Sequence, residues 1–164
     1  MRLTKLFALG IALVLVGAQV VTAITTTTTG KGVTQVKLVG GTDTLSVSGS
    51  TTTQWTNLPG VSTSVSVGAN TRAIVRAEVS GFTQCRNTEG SCDLRVLIGG
   101  VEGSPAVAQA AAYGGRFQME RWRGPLNPGT YVVQVQVRVP TNTDRVTEFV
   151  LWSGWTLSVE RIAA

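Results

Sequence analysis

The run Gly-Thr-Tyr-Val-Val-Gln-Val-Gln-Val-Arg-Val at residues 129–139 constrains the fold more than any other stretch. Tyr131, Val133, Val135, Val137 and Val139 fall on one side, and Val132, Gln134, Gln136 and Arg138 on the other. That is the period-two pattern of a strand with one buried face. At 3.3 Å per residue it spans about 30 Å, enough to cross a sheet. Five apolar side chains on one face need an opposing apolar layer, so a two-layer β domain is implied.

The same alternation recurs upstream. Val61, Thr63, Val65 and Val67 oppose serines, and Ala73, Val75, Ala77 and Val79 oppose Arg72, Ile74, Arg76 and Glu78, whose charges belong in water. Leu94, Val96 and Ile98 point inward with Arg95 outside. Residues 33–39 read as a first strand, Gly40-Gly41-Thr42-Asp43 as a turn, and Leu45 and Val47 as the return of a hairpin. Leu58-Pro59-Gly60 carries turn chemistry that closes the segment holding Trp55. In residues 116–123, Phe117, Met119, Arg121 and Arg123 alternate with Gln118, Glu120 and Trp122, with the inward side undetermined. The alanine-rich stretch after Pro105 reads as a loop or edge strand in preference to a short helix. Trp152-Ser153-Gly154-Trp155 has two readings. A two-residue hairpin turn puts the tryptophans opposite each other and groups Val150, Trp152, Trp155, Leu157 and Val159; a bent continuous strand with a glycine bulge does not. These segments predict an all-β fold, an antiparallel β-sandwich of jelly-roll type with roughly nine to eleven short strands in one domain.

The N-terminus reads differently. Arg2 and Lys5 precede an apolar run over residues 6–16, and Val21-Thr22-Ala23 supplies small residues for cleavage, so residues 1–23 read as a secretory signal peptide. The run is short for a membrane span, and no span is expected in the mature chain. Removing Arg2 and Lys5 lowers the formal charge from +5 to +3, and the arginines are scattered, so no nucleic-acid partner is expected. Residues 24–32 begin with Ile24 and five threonines. They read either as a linker or as a strand added to a neighbouring copy, which would make a homo-oligomer or surface polymer. Residues 33–164 form the sandwich. In an exported chain, Cys85 and Cys92 are expected to form a disulfide closing an eight-residue loop.

Four features carry a resemblance: Leu58-Pro59-Gly60, Leu94-Arg95-Val96-Leu97-Ile98-Gly99-Gly100-Val101, Pro128-Gly129-Thr130-Tyr131 and Trp155-Thr156-Leu157-Ser158-Val159-Glu160. With the stretches 55–79, 92–100, 126–139 and 155–162 around them, they resemble bacterial secreted jelly-roll-like domains of the TNF/C1q-like sandwich type. The resemblance implies a fold and brings no catalytic residue with it.

The chain has no histidine, which removes the commonest general base and metal ligand together. No nucleophile elbow, phosphate loop or calcium loop is present. No catalytic residue, metal site or cofactor is therefore assigned. A hydrolase using paired carboxylates, drawn from Glu78, Glu120, Glu148 and Glu160, is the remote alternative. Aromatic stacking on a glycan is a nearer one, with Trp55, Trp122, Trp152 and Trp155 as candidates. Trp122 leads, with Arg121, Arg123 and Glu120 as its hydrogen-bonding neighbours. The leading expectation is a secreted or cell-surface structural or adhesion module that is not an enzyme. Its outward row at Val132, Gln134, Gln136 and Arg138 is a candidate contact surface.

Overall fold

The computed structural model describes residues 22–26, 32–49, 54–86, 92–106, 109–111, 114–140 and 147–164, with backbone alone for 22–26 and 109–111. Residues 1–21 of the expected signal peptide, its basic and apolar parts included, lie outside the described residues, as do Gly30, Lys31, Glu89 and Asp144.

The elements in chain order are β1 (Thr22–Thr26), β2 (Val33–Gly41), β3 (Leu45–Ser48), β4 (Trp55–Val67), β5 (Ala73–Arg86), β6 (Cys92–Ile98), β7 (Val101–Glu102), β8 (Gln109–Ala111), β9 (Gly115–Leu126), β10 (Gly129–Arg138), β11 (Glu148–Leu151) and β12 (Trp155–Ala163). No helix long and apolar enough to cross a membrane occurs among the described residues. All strand pairings are antiparallel.

The larger sheet holds β1, β2, β12, β5, β11 and β3 along one path, with β9 on the other edge of β5. The smaller sheet runs β4, β10, β6, β7, with β8 also on β6. β2 and β3 are collinear pieces of one ribbon, each facing β12 and β11 in turn. β11 and β12 likewise run end to end along β5, and β7 and β8 along β6. Joining these pieces leaves nine ribbons among the described residues, within the expected range. Apart from β1 there are eight. Numbered in chain order, they lie as 6-3-8-1 in one sheet and 2-7-4-5 in the other, which is the double Greek key of a jelly roll.

The strand at β10 takes the place its sequence demands. It lies between β4 and β6, and Val133, Val135 and Val137 have no solvent exposure. Against them the larger sheet sets Val75, Ala77, Val79, Leu157 and Val159, all buried by the same alternation. The disulfide joins Cys85 near the end of β5 to Cys92 at the start of β6, with Cα atoms 5.7 Å apart. It therefore ties the larger sheet to the smaller one across the core.

Two turn expectations are corrected, and one pair of open readings is decided. Residues 40–43 do not fold β3 back on β2, because β2 pairs with β12 and β3 with β11. Gly41 is there for close approach: a Cβ at that position would sit 2.5 Å from the Trp155 ring. Leu58-Pro59-Gly60 does not end a strand. It forms a large bulge inside β4, where Gln134 and Gln136 of β10 face Ser62 and Asn57, and Gly60 takes a φ of 75°. The bulge turns Leu58 and Val61 both into the core. Finally, Ser153-Gly154 is the bulge and not the hairpin, since β11 and β12 follow the same edge of β5. Phe149, Leu151, Trp155, Leu157 and Val159 then share the inner face, while Trp152 turns outward. The stretch after Pro105 supplies the edge strand β8, as expected.

Candidate functional site

Strand parity divides the four tryptophans. Trp155 is core, 2% exposed. Trp55 lies on the outer face of the smaller sheet beneath two guanidinium groups, Arg95 at 4.2 Å and Arg138 at 5.0 Å from its ring centre. Those arginines are held in turn: Arg95 donates to Gln136 at 2.8 Å, and Arg138 donates to Asp93 at 3.1 Å. Gln136 also donates to Asn57 at 2.7 Å, so the candidate row on β10 forms a ladder bonded to its own neighbours. Only Val132 in that row stands clear, at 52% exposure.

Trp122 and Trp152 both lie on the outer face of the larger sheet, 40% and 37% exposed, and Phe82 joins them at 47%. Trp122 is fixed at the backbone on both sides. It pairs with Arg76 of β5, and it exchanges two hydrogen bonds with Ser104, at 2.7 and 2.9 Å. Arg76 stacks 5.5 Å from its ring centre. The Trp152 amide donates to the Phe82 carbonyl at 2.9 Å, which sets these aromatics side by side, and Arg86 lies 5.6 Å from the Trp152 ring. Phe82 stands opposite Arg116 of β9. Beside Phe82 the sheet carries an open groove of about 610 Å³, bordered by Phe82, Arg116, Gln118 and Ser80 with the Ser153–Gly154 bulge at one side; neither Trp122 nor Trp152 lines it. Volumes of this size suit small-ligand sites.

The companions expected for Trp122 do not gather around it. Residues adjacent in a strand point to opposite faces. Arg121 is thus turned inward, 6% exposed, where burial lowers its pKa against an opposing pull from Glu102. Its Nη1 donates to the Glu120 carbonyl at 2.7 Å. Arg123 reaches across to the smaller sheet and donates to the carbonyls of Ile98 and Gly99. Glu120 alone stays beside Trp122, and the others that join it come from neighbouring strands. Arg76 donates to Glu120 and, at 3.1 Å, to Glu160 of β12, and it lies 3.5 Å from Glu78. The hydrogen bond to Glu120 is the main reason the Arg76 pKa is raised, with Glu160 assisting and burial opposing. Gln118 closes the row by donating to Glu78 at 3.0 Å.

Phe82 escapes a reading of the sequence, because the clear alternation of this strand stops at Val79, ahead of Gly81. Continuing the alternation past Gly81 would have found it: Thr83 and Cys85 are buried, while Phe82 and Arg86 lie on the outer face. Among the described residues no group of three potential metal ligands comes together. Six carboxylates, those of Glu78, Glu120, Glu160, Glu148, Glu102 and Asp93, each lie within 3.6 Å of an arginine nitrogen.

Fold and face together define an antiparallel jelly-roll sandwich with an aromatic, hydrogen-bonding sheet surface. No protein-family model matches this chain, and no curated protein does.

Proposed function

We propose that the protein is a secreted, non-catalytic adhesion module that holds polysaccharide on the outer face of its larger sheet. One observation carries this reading: Trp122, Phe82 and Trp152 stand exposed on a single sheet face, and Phe82 lines a groove edged with hydrogen-bonding groups. Sugar rings present apolar C–H faces and a rim of hydroxyls. Flat aromatic surfaces beside amide, hydroxyl and carboxylate groups match both halves of that chemistry. From the β5–β9 pairing, Trp122 lies six residues from the Phe82 level, about 20 Å along the sheet, so an extended chain of sugars suits the site better than one ring.

Export is supported by the basic and apolar N-terminal residues and by a disulfide that suits an oxidising compartment. A non-catalytic role is supported by the absence of histidine and by the carboxylate arrangement. Glycoside hydrolysis needs two carboxyl groups facing each other across the scissile bond. Glu120 and Glu160 instead both grip Arg76, whose guanidinium stands between them.

The test is binding of the intact protein to a panel of neutral and acidic oligosaccharides, by array and then calorimetry. Trp122→Ala should weaken binding about tenfold or more, the scale of a buried aromatic contact. Trp55→Ala, on the opposite face, should leave it unchanged. A parent protein that binds no glycan at millimolar concentration sinks the reading.

Self-assembly through residues 24–32 is the second reading. The observation in its favour is that β1 already adds to the free edge of β2, with Ile24, Thr25 and Thr26 opposite Leu38, Lys37 and Val36. Cleavage after Ala23 would leave those three pairs, and a neighbouring copy could supply the same backbone bonds. Deleting residues 24–32 should convert any oligomer to monomer in sedimentation. An unchanged oligomeric state would remove this reading.

A further inference from the structure

The two ends of the aromatic face carry opposite charge. Around Trp122, one guanidinium, Arg76, meets three carboxylates, Glu78, Glu120 and Glu160. At the groove the situation reverses. Arg116 is exposed at its rim, and its side chain makes no ion pair or hydrogen bond with another described residue. Arg86, also at this end, is already met by Glu148 at 3.4 Å. Among the described residues no carboxylate meets Arg116, which stands directly opposite the exposed Phe82. Along β9 the nearest of these carboxylates, Glu78 and Glu120, lie four residues from Arg116, or about 13 Å, and Trp122 lies about 20 Å away.

From this we infer that the groove takes the carboxylate of one acidic sugar, with the neutral part of the chain running toward Trp122. The inference rests on the glycan reading given above and names the ligand class within it. Arginine presents parallel N–H donors that match a carboxylate in a two-pronged bond, and such charge-assisted bonds are about twice as strong as neutral ones. Phe82, across the β5–β9 pair, offers an apolar face for the ring that bears the carboxylate. The acidic end sets the opposite preference. Glu78, Glu120 and Glu160 accept hydrogen bonds from sugar hydroxyls, and they repel a second anion along the chain. The site therefore selects an oligosaccharide with one uronic acid at its end over both a neutral oligosaccharide and a polyuronate of equal length.

Calorimetry on the intact protein with those three ligands is the experiment, repeated with Arg116→Gln. The expected result is about tenfold tighter binding of the singly acidic chain than of the neutral one, falling to within about twofold in Arg116→Gln. Raising the salt should shrink the same difference. Circular dichroism and melting of the variant should match the parent, since the Arg116 side chain is exposed and unpaired among the described residues. Equal binding of the neutral and singly acidic chains, or an acid preference that survives Arg116→Gln, overturns the inference while glycan binding through Trp122 stands. A polyuronate that binds tightest overturns the selection against a second charge. Absence of binding to all three ligands removes the inference and the glycan reading together.

Discussion

Trp155→Ala is expected to lower stability by about 3–5 kcal/mol, the range for removing a buried aromatic side chain. For a domain of this size that corresponds to a fall in Tm of roughly 6–20 °C. Trp155 is the largest fully buried side chain among the described residues, and two glycines are shaped to it. A Cβ at Gly41 would lie 2.5 Å from the indole, and one at Gly81 would lie 3.1 Å from the Trp155 Cβ. The surroundings are strand backbone on both sides, so the cavity left by alanine cannot collapse easily. Trp155→Phe should cost much less, because the indole Nε1 has no hydrogen-bond partner among the described residues and its loss strands no acceptor. Gly41→Ala should destabilise the parent through the clash and be relieved in the Trp155→Phe background, a coupling readable in a double-mutant cycle. Urea or thermal unfolding measures all of these. A Trp155→Ala shift below 2 °C, or strictly additive Gly41 and Trp155 effects, would contradict the packing described.

The limits of sequence reading have a physical cause that individual residues expose. The strands at β10, β6 and the first part of β5 were legible because each side chain reports its own face, valine inward and arginine or glutamine outward. Pairing was less legible, since β12 lies between β2 and β5 although some 120 and 80 residues separate them in the chain. Glycine was the most ambiguous letter. It reports that a side chain is missing and not why, so Gly41, which admits a tryptophan ring, and Gly60, which bends a strand, both read as turns.

The site followed the same division. Trp122 was legible as a candidate because it is aromatic and flanked by charge. Its companions were drawn from its chain neighbours, Arg121 and Arg123, which a strand sends to the other face. The groups that meet it, Arg76 and through it Glu160, come from β5 and β12, and no local window contains them. Phe82 was hidden by Gly81, which interrupts the inner row without changing the parity of the outer one. A binding face built across adjacent strands is legible only once strand order is known, whereas a core built from alternating residues is legible strand by strand.

Loss of the Cys85–Cys92 disulfide should be the other large effect, through the unfolded chain more than the folded one. Closing a loop of eight residues stabilises by about 2.5 kcal/mol in the chain-entropy picture, and removal of a native disulfide from a small exported domain costs about 2–5 kcal/mol. Both sulfur-bearing residues are buried, at 1% and 0% exposure, so alanine at both positions adds a modest loss of packing. The bond also joins the two sheets at the end of the sandwich where Trp152 and Arg86 lie. Trp122 pairs with Arg76, nine residues back along β5 from Cys85, or about 30 Å. Stability and ligand binding are therefore expected to separate. The Cys85→Ala/Cys92→Ala protein should melt roughly 5–10 °C lower than the parent, by the size scaling of Tm, and dithiothreitol should lower the parent's Tm comparably. Well below the transition, the double variant should retain the Trp122-dependent part of glycan affinity. An unchanged Tm after complete reduction would show that the bond stabilises nothing. Loss of the Trp122-dependent affinity in a variant that is still folded would mean the sheet face is not the rigid platform its backbone pairing describes.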